Sequence, residues 1–234
     1  MHHIVLLFSL LLTAIPAAAQ DLTLPFSVKY KGLPIADLEL SVMQGEDRYG
    51  VGIGVESGGL ASVFGRQKAY FFTVGDRKRV QPNNHNRVTE ILSRGIRESV
   101  VNWDENGQVA DYNVNPKDPV HETDQLSNSR VKYATDPLTP LYRVISGQQG
   151  CDGQFEVFDG RRHYQLNISM LDSSDQTFTC KLSVNKFAGF DEGTDFDINN
   201  DKGASITFER TDIGNLPMEL EINTPLGTVK AVRK

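Results

Sequence analysis

The chain has 234 residues, with 24 basic against 30 acidic side chains, a net charge of −6 and 39% hydrophobic residues. Charges of both signs are interspersed, so the concentrated basic face that nucleic acid requires is excluded. Beyond the N-terminal segment no stretch is apolar enough to cross a membrane as a helix.

Ile4 to Ile15 is an apolar run of about a dozen residues, followed by Pro16 and the small residues Ala17, Ala18 and Ala19. This is the pattern of a secretory leader, residues 1–19, with His2 and His3 where lysine or arginine is usual. It is too short to span a bilayer. Cleavage near Ala19 leaves residues 20–234 as one exported domain, long enough for an all-β fold with its own core. No cysteine stands near the cleavage site to carry a lipid, so a soluble protein is expected.

From Leu24 the pattern is strand after strand. Phe26, Val28 and Tyr30 alternate with polar residues, then Ile35, Leu38, Leu40 and Val42, then Tyr49, Val51, Ile53 and Val55. Glycines at 50, 52 and 54 occupy the opposite face of that third run, where they permit a coiled sheet or the close approach of another group. Ser57 to Gly65 reads as a short helical turn with Leu60, Val63 and Phe64 at helical spacing. Its Gly58-Gly59 pair lacks the rest of a phosphate-binding loop.

Strands resume at 69–74, 86–92, 96–103 and 109–114. Asp104-Glu105-Asn106-Gly107 supplies a hairpin turn, and Trp103 closes a core at the end of its strand. Residues 115–135 carry turn formers and little periodicity, which marks a mobile loop or an internal boundary. A helix follows, with Asp136 as N-cap, Pro137 in the first turn, a stripe of Leu138, Leu141, Tyr142 and Ile145, and Gly147 as its end. That stripe is expected to pack on the concave side of the sheet. Phe155 and Val157, then Tyr164, Leu166 and Ile168, alternate on either side of Asp159-Gly160, a hairpin with Arg161 and Arg162 near its tip. Further strands fall at 177–187, 205–208, 217–222 and 227–232, with an acidic loop at 191–203.

Cys151 and Cys180 are the only two cysteines. In an exported protein they read as a disulfide closing a loop of about 30 residues, for which chain entropy gives about 3.6 kcal/mol. A metal site needs a closer pair or neighbouring histidines, and a reactive thiol needs no second cysteine.

Catalytic motifs are missing: there is no Gly-x-Ser-x-Gly and no His-Glu-x-x-His, and His85, His121 and His163 are unpaired in sequence. No catalytic residue, metal ligand or cofactor is therefore assigned. The segment Asp195 to Gly203 resembles a calcium loop but lacks its twelfth-position glutamate. The densest polar group is Asp159, Arg161, Arg162 and His163. Arg161, Arg162 and His163 are candidates for an anion or partner contact, the paired arginines through bidentate guanidinium bonding; the alternative is that Asp159 makes the turn and the arginines cover strand edges in solvent.

Tyr30-Lys-Gly-Leu-Pro-Ile35-Ala, Asp136-Pro-Leu138, Phe158-Asp-Gly-Arg-Arg-His-Tyr164 between the two cysteines, and Pro225-Leu-Gly-Thr-Val229 together resemble the proteobacterial exported proteins grouped as domain of unknown function 3108. In that motif an arginine more usually stands at position 163. The resemblance implies a periplasmic, mainly antiparallel β protein without catalytic residues. The layout is also similar to alphaproteobacterial periplasmic envelope-integrity proteins, whose sheet coils into an open spiral around a hydrophobic groove.

The expected fold is thus all-β, a coiled open barrel or β-spiral with one or two short capping helices. The expected function is noncatalytic: a periplasmic cell-envelope protein that binds a lipid or other apolar ligand, or an envelope protein partner, on the concave face. The alternatives are an interaction module with a filled core and, more remotely, an envelope hydrolase.

Overall fold

The computed structural model describes residues 20–59, 67–91, 95–117, 131–190, 203–224 and 227–234. The expected leader, most of the 57–65 turn, much of the 115–135 loop and the calcium-like segment lie outside the described residues.

Each alternating run of the sequence falls within a strand. In chain order these are β1 (Gln20–Tyr30), β2 (Leu33–Gln44), β3 (Arg48–Ser57), β4 (Gln67–Asp76), β5 (Gln81–Ile91), β6 (Gly95–Trp103), β7 (Val109–Asn115), β8 (Asp152–Phe158), β9 (His163–Ser173), β10 (Thr177–Ala188), β11 (Ala204–Thr211), β12 (Gly214–Thr224) and β13 (Gly227–Arg233). They form one antiparallel sheet in the order β7-β6-β5-β4-β3-β2-β1-β13-β12-β11-β10-β9-β8. Two meanders are therefore joined where the first strand pairs with the last, Val28 opposite Ala231. The ladder is open, with β7 and β8 at its edges.

Curvature has a local cause. Register shifts interrupt the ladders between Val28 and Lys29, Val74 and Gly75, Thr179 and Cys180, and Thr207 and Phe208, and each such bulge adds right-handed twist. On the convex face the β3 glycines are covered by neighbours rather than left open: a Cβ on Gly54 would stand 3.2 Å from the Tyr70 ring. An aromatic ring laid over a strand glycine restores packing that the missing side chain forfeits.

The topology also fills the concave face. A chain leaving the β7 edge must reach the β8 edge on the far side of the sheet, and it crosses through the concavity. This crossover carries α1 (Thr139–Ile145), the one helix described along its whole length. The helix starts two residues later than the sequence predicts, with Pro140 rather than Pro137 in its first turn. Asp136 still caps it from outside: its Oδ1 accepts the amides of Leu138 at 2.7 Å and Thr139 at 3.1 Å. Gly147, at φ 72°, ends it. Leu138, Tyr142, Val144 and Ile145 are buried in the main core together with Phe26, Leu40, Val51, Ile168 and Phe208.

The same crossover stitches the two open edges. The Val109 amide of β7 donates to the Lys132 carbonyl, while on the β8 side the Thr135 amide donates to Glu156 and Thr135 accepts from Phe158. Trp103 buries its ring in a second core with Val131, Ala134 and Phe158, and its Nε1 donates to the Ala134 carbonyl at 2.7 Å. Among the described residues no helix is long and apolar enough to cross a membrane.

Candidate functional site

Because α1 is narrower than the concavity it occupies, apolar space remains beside it. One lobe lies between Pro137, Leu138, Leu141 and Val144 on the crossover and Leu166, Ile168, Leu182 and Phe208 on β9–β11; its cavity volume is about 140 Å³. A second, of about 70 Å³, lies between Leu141 and Phe26, Leu38, Leu220 and Ala231. Ile53, Leu141 and Ile206 line both, so the lobes are halves of one groove meeting at this trio. Every lining side chain is apolar. An apolar void of the larger lobe's size by itself holds one benzene-sized molecule, and the second lobe extends that space beyond the trio. On the convex face a polar depression carries Asp37, Glu39, Glu56, Tyr70 and Lys234; Lys234 pairs with Asp37 at 2.6 Å and Lys68 with Glu56 at 3.2 Å, so its charges are largely matched internally.

At one end of the groove wall stands a buried carboxylate. Thr73, His85 and Asp136 are each 0% exposed. Besides the two helix amides, Asp136 accepts the Thr73 hydroxyl at 2.5 Å and the Thr139 hydroxyl. A carboxylate only accepts, so both hydroxyls spend their protons on it. Their oxygens are then acceptors for what lies beyond: His85 Nδ1 at 2.9 Å from Thr73, and the Tyr49 hydroxyl at 2.6 Å from Thr139. Two chains, His85 to Thr73 and Tyr49 to Thr139, converge on one Asp136. This direction places the imidazole proton on Nδ1 and leaves Nε2, buried, without a partner. Burial is the main cause holding the His85 pKa below its ordinary value, against the opposing charges of Asp136 and Asp159. Burial, with the Asp136 charge second, pushes the Tyr49 hydroxyl well above its ordinary value. Tyr49 also stacks on Tyr142 of α1, centroids 4.2 Å apart and planes 10° apart.

The trio of Thr73, His85 and Asp136 contains the residue types of a hydrolytic triad but not its wiring. A nucleophile must give its proton to the imidazole; here the hydroxyl gives it to the carboxylate, and no solvent reaches it. What the arrangement does is fasten α1 and the crossover to β3, β4 and β5.

The polar group that the sequence places at an exposed hairpin tip is instead tucked inward. Asp159, Arg161 and His163 are only 6%, 7% and 5% exposed. The turn between β8 and β9 lands on β5 and β6 of the other meander, where Arg87 Nη1 donates to Asp159 Oδ2 at 2.9 Å and the Ser99 hydroxyl donates to the Asp159 carbonyl at 2.9 Å. Asp159 Oδ1 also accepts the amides of Arg161 and Arg162, at 2.9 and 2.7 Å. Gly160, at φ 89°, has no substitute: a Cβ there would meet Ser99 Cβ at 2.8 Å. His163 Nε2 bonds Glu156 at 2.6 Å. Arg162, half-buried, lies 5.6 Å from the Phe190 ring centroid. Arg161 thus belongs to the closure between meanders, its Nη2 donating to the Pro116 carbonyl just beyond β7 at 3.5 Å, and its burial corrects the solvent-covering role read from the sequence; His163 is buried within its own meander, against Glu156 of β8 and the Phe187 ring of β10.

Cys151 and Cys180 stand at bonding distance, S–S 1.99 Å and Cα–Cα 5.0 Å, with no free cysteine among the described residues. They tie the segment after α1 to β10, and Cys180 lines the larger lobe. Among the described residues no cluster of three or more His, Cys, Asp or Glu has metal-binding geometry. The sequence identified Asp136 only as a helix cap; Tyr49, Thr73, His85 and Arg87 carried no motif. The usable signal was periodicity, which puts Thr73 on the same strand face as Phe71 and so points a hydroxyl into the core.

No curated protein matches this chain. Among solved structures the fold is similar to that of a protein described as a beta-barrel-like protein of domain of unknown function DUF1849 from Brucella abortus, at TM-score 0.50 and 9% identity, covering 94% of this chain and 97% of that one. At that identity the likeness concerns the fold. The family model described as protein of unknown function (DUF3108) matches residues 25–233, which takes in nearly every strand of the sheet, and the chain belongs to that family.

Proposed function

We propose that this is a noncatalytic exported protein of the periplasm and cell envelope that holds one straight alkyl chain of a lipid in the groove beside α1. The observation that carries the reading is the lining: two lobes that meet at Ile53, Leu141 and Ile206, without a charged or hydrogen-bonding side chain in either. Water in such a space finds no partner, so an apolar occupant is favoured. The Cys151–Cys180 pair is in keeping with an oxidising compartment.

Native mass spectrometry of protein purified from a periplasmic extract, followed by solvent extraction, tests this. One bound alkyl species per chain is expected, and dodecanoic acid should displace the apolar dye N-phenyl-1-naphthylamine. Absence of any adduct together with no dye uptake overturns it. A second reading has its own observation: α1 buries Leu138, Tyr142, Val144 and Ile145 in the concavity, which favours an interaction module with a filled core. That module predicts the null result in both assays. A hydrolase needs a nucleophile that solvent reaches, and the described Thr73 hydroxyl is sealed.

A further inference from the structure

We propose that His85 and Asp136 form an acid-operated latch that holds α1 over the groove and releases it when His85 takes up a proton. The inference rests on the groove reading only for its consequence, since the latch itself is a property of the fold.

Asp136 is the single acceptor on which the start of the helix depends. Its Oδ1 already takes three donors, the Thr73 hydroxyl and the amides of Leu138 and Thr139, and its Oδ2 takes the Thr139 hydroxyl. Leu138 and the adjoining Pro137 are groove wall, so the residues pinned by this carboxylate are those that close the larger lobe. Neutral His85 suits the arrangement, giving one proton through Nδ1 to Thr73. A second proton changes the accounting at both ring nitrogens. Nε2–H becomes a donor in a place that offers no acceptor, and an unpaired buried charge destabilises strongly. The ring's nearest countercharge is Asp136 Oδ1, 3.8 Å from Nδ1. To pair with it the imidazolium must compete with the helix amides for the same oxygen.

The other charged groups facing His85 do not offer a better settlement. Asp159, on the β8–β9 turn, favours the charged ring but is engaged by Arg87 and by two amides of its own turn. Arg87, on β5, opposes it. Thr73 on β4 is neutral, as is Tyr49 on β3, the last member of the network. Protonation therefore favours the arrangement in which Asp136 lets α1 go and the ring reaches water. The balance is one proton taken from solvent per opening. The sign follows from the lowered pKa of the folded ring: the closed form binds fewer protons, so its stability is full at pH above 6.5, the value for a free ring, and is lost as pH falls towards the folded value.

The test is pH-dependent hydrogen exchange of the α1 amides, corrected for intrinsic rates, in the full chain and in His85→Asn, whose amide nitrogen replaces Nδ1 as donor but does not titrate. In the wild type the opening constant of the Tyr142 and Ser146 amides, which bond Leu138 and Tyr142, should rise about tenfold per pH unit below 6.5. In His85→Asn it should stay flat. A flat wild type, or an equal rise in the variant, overturns the latch. Should His85→Asn not fold, nitrogen-15 spectra of the wild-type ring decide: a neutral Nδ1–H form that charges in step with α1 opening supports it, and a ring already charged at pH 7 or protonated on Nε2 overturns it. N-phenyl-1-naphthylamine separates the two readings. Opening without dye uptake keeps the latch and sinks the groove, while dye uptake without pH-dependent opening keeps the groove and sinks the latch.

Discussion

Arg87 on β5 and Asp159 in the β8–β9 turn, 72 positions apart, form a 2.9 Å ion pair that fastens one meander of the open sheet to the other. Hydrogen bonding alone does not close this barrel-like sheet, because β7 and β8 never pair directly. Closure comes from side chains and from the 132–135 stitch.

Asp159→Ala should therefore cost more than a surface pair. It leaves a largely buried guanidinium and two turn amides without their acceptor, a change of about 3–5 kcal/mol where a buried pair is broken from one side. Arg87→Met, which keeps the stem but removes the charge, should cost less, since the Arg161 and Arg162 amides still hold the carboxylate. Urea unfolding of the two variants gives the comparison; equal and small losses would show that the turn contributes nothing to closure.

Tyr49 offers a test at the opposite end of the pH scale from His85. Its folded hydroxyl resists ionisation well past the ordinary value of 10.0. The folded state then keeps a proton that the unfolded state gives up, so this stability is complete below pH 10.0 and declines as pH rises above it. Tyr49→Phe removes one hydrogen bond to Thr139, for a loss of about 1 kcal/mol at neutral pH, and retains the ring stack on Tyr142. Its unfolding free energy should fall less steeply than the wild type's above pH 10, by up to about 1.4 kcal/mol per pH unit. Parallel alkaline slopes would mean that Tyr49 ionises as easily folded as unfolded.

The strands were legible in the sequence because period-two alternation needs only one buried face, and a coiled sheet supplies that for every run from Phe26 to Val232. The Asp159 turn was legible as a turn, and its position was not: nothing local states that Gly160 will rest on Ser99 and Val101. The carboxylate node escaped for the same reason. Thr73 is 63 positions from Asp136 and Tyr49 is 90 from Thr139, and each single residue looks like an ordinary strand or cap residue. The shift of the helix start from Pro137 to Thr139 is a smaller matter, since the predicted cap survives as a bond to the same amides.

Reducing the Cys151–Cys180 bond should lower stability by about 2–5 kcal/mol, the range for a native bridge in a small exported domain. The chain-entropy value for this loop falls within it, at about 3.6 kcal/mol. Cys151→Ser with Cys180→Ser should reproduce the loss in thermal unfolding, and nonreducing peptide mapping should show the two cysteine peptides joined. Free thiols in protein exported to an oxidising compartment would remove the bridge from the account.

Leu141 decides how much the groove holds. It alone among the α1 residues lines both lobes, and it is half-buried while Tyr142, Val144 and Ile145 beside it are buried. Leu141→Trp should fill the junction with Ile53 and Ile206 and reduce uptake of N-phenyl-1-naphthylamine at least tenfold. Leu141→Ala should merge and widen the lobes. Because the side chain is only partly buried, its removal should cost less than the 2–5 kcal/mol of a fully buried leucine, and the affinity for branched or longer alkyl probes should rise relative to straight short ones. The two substitutions move binding in opposite directions while perturbing the same contact. If both lower it alike, or neither changes it, the dye is binding elsewhere and the groove beside α1 is simply imperfect packing.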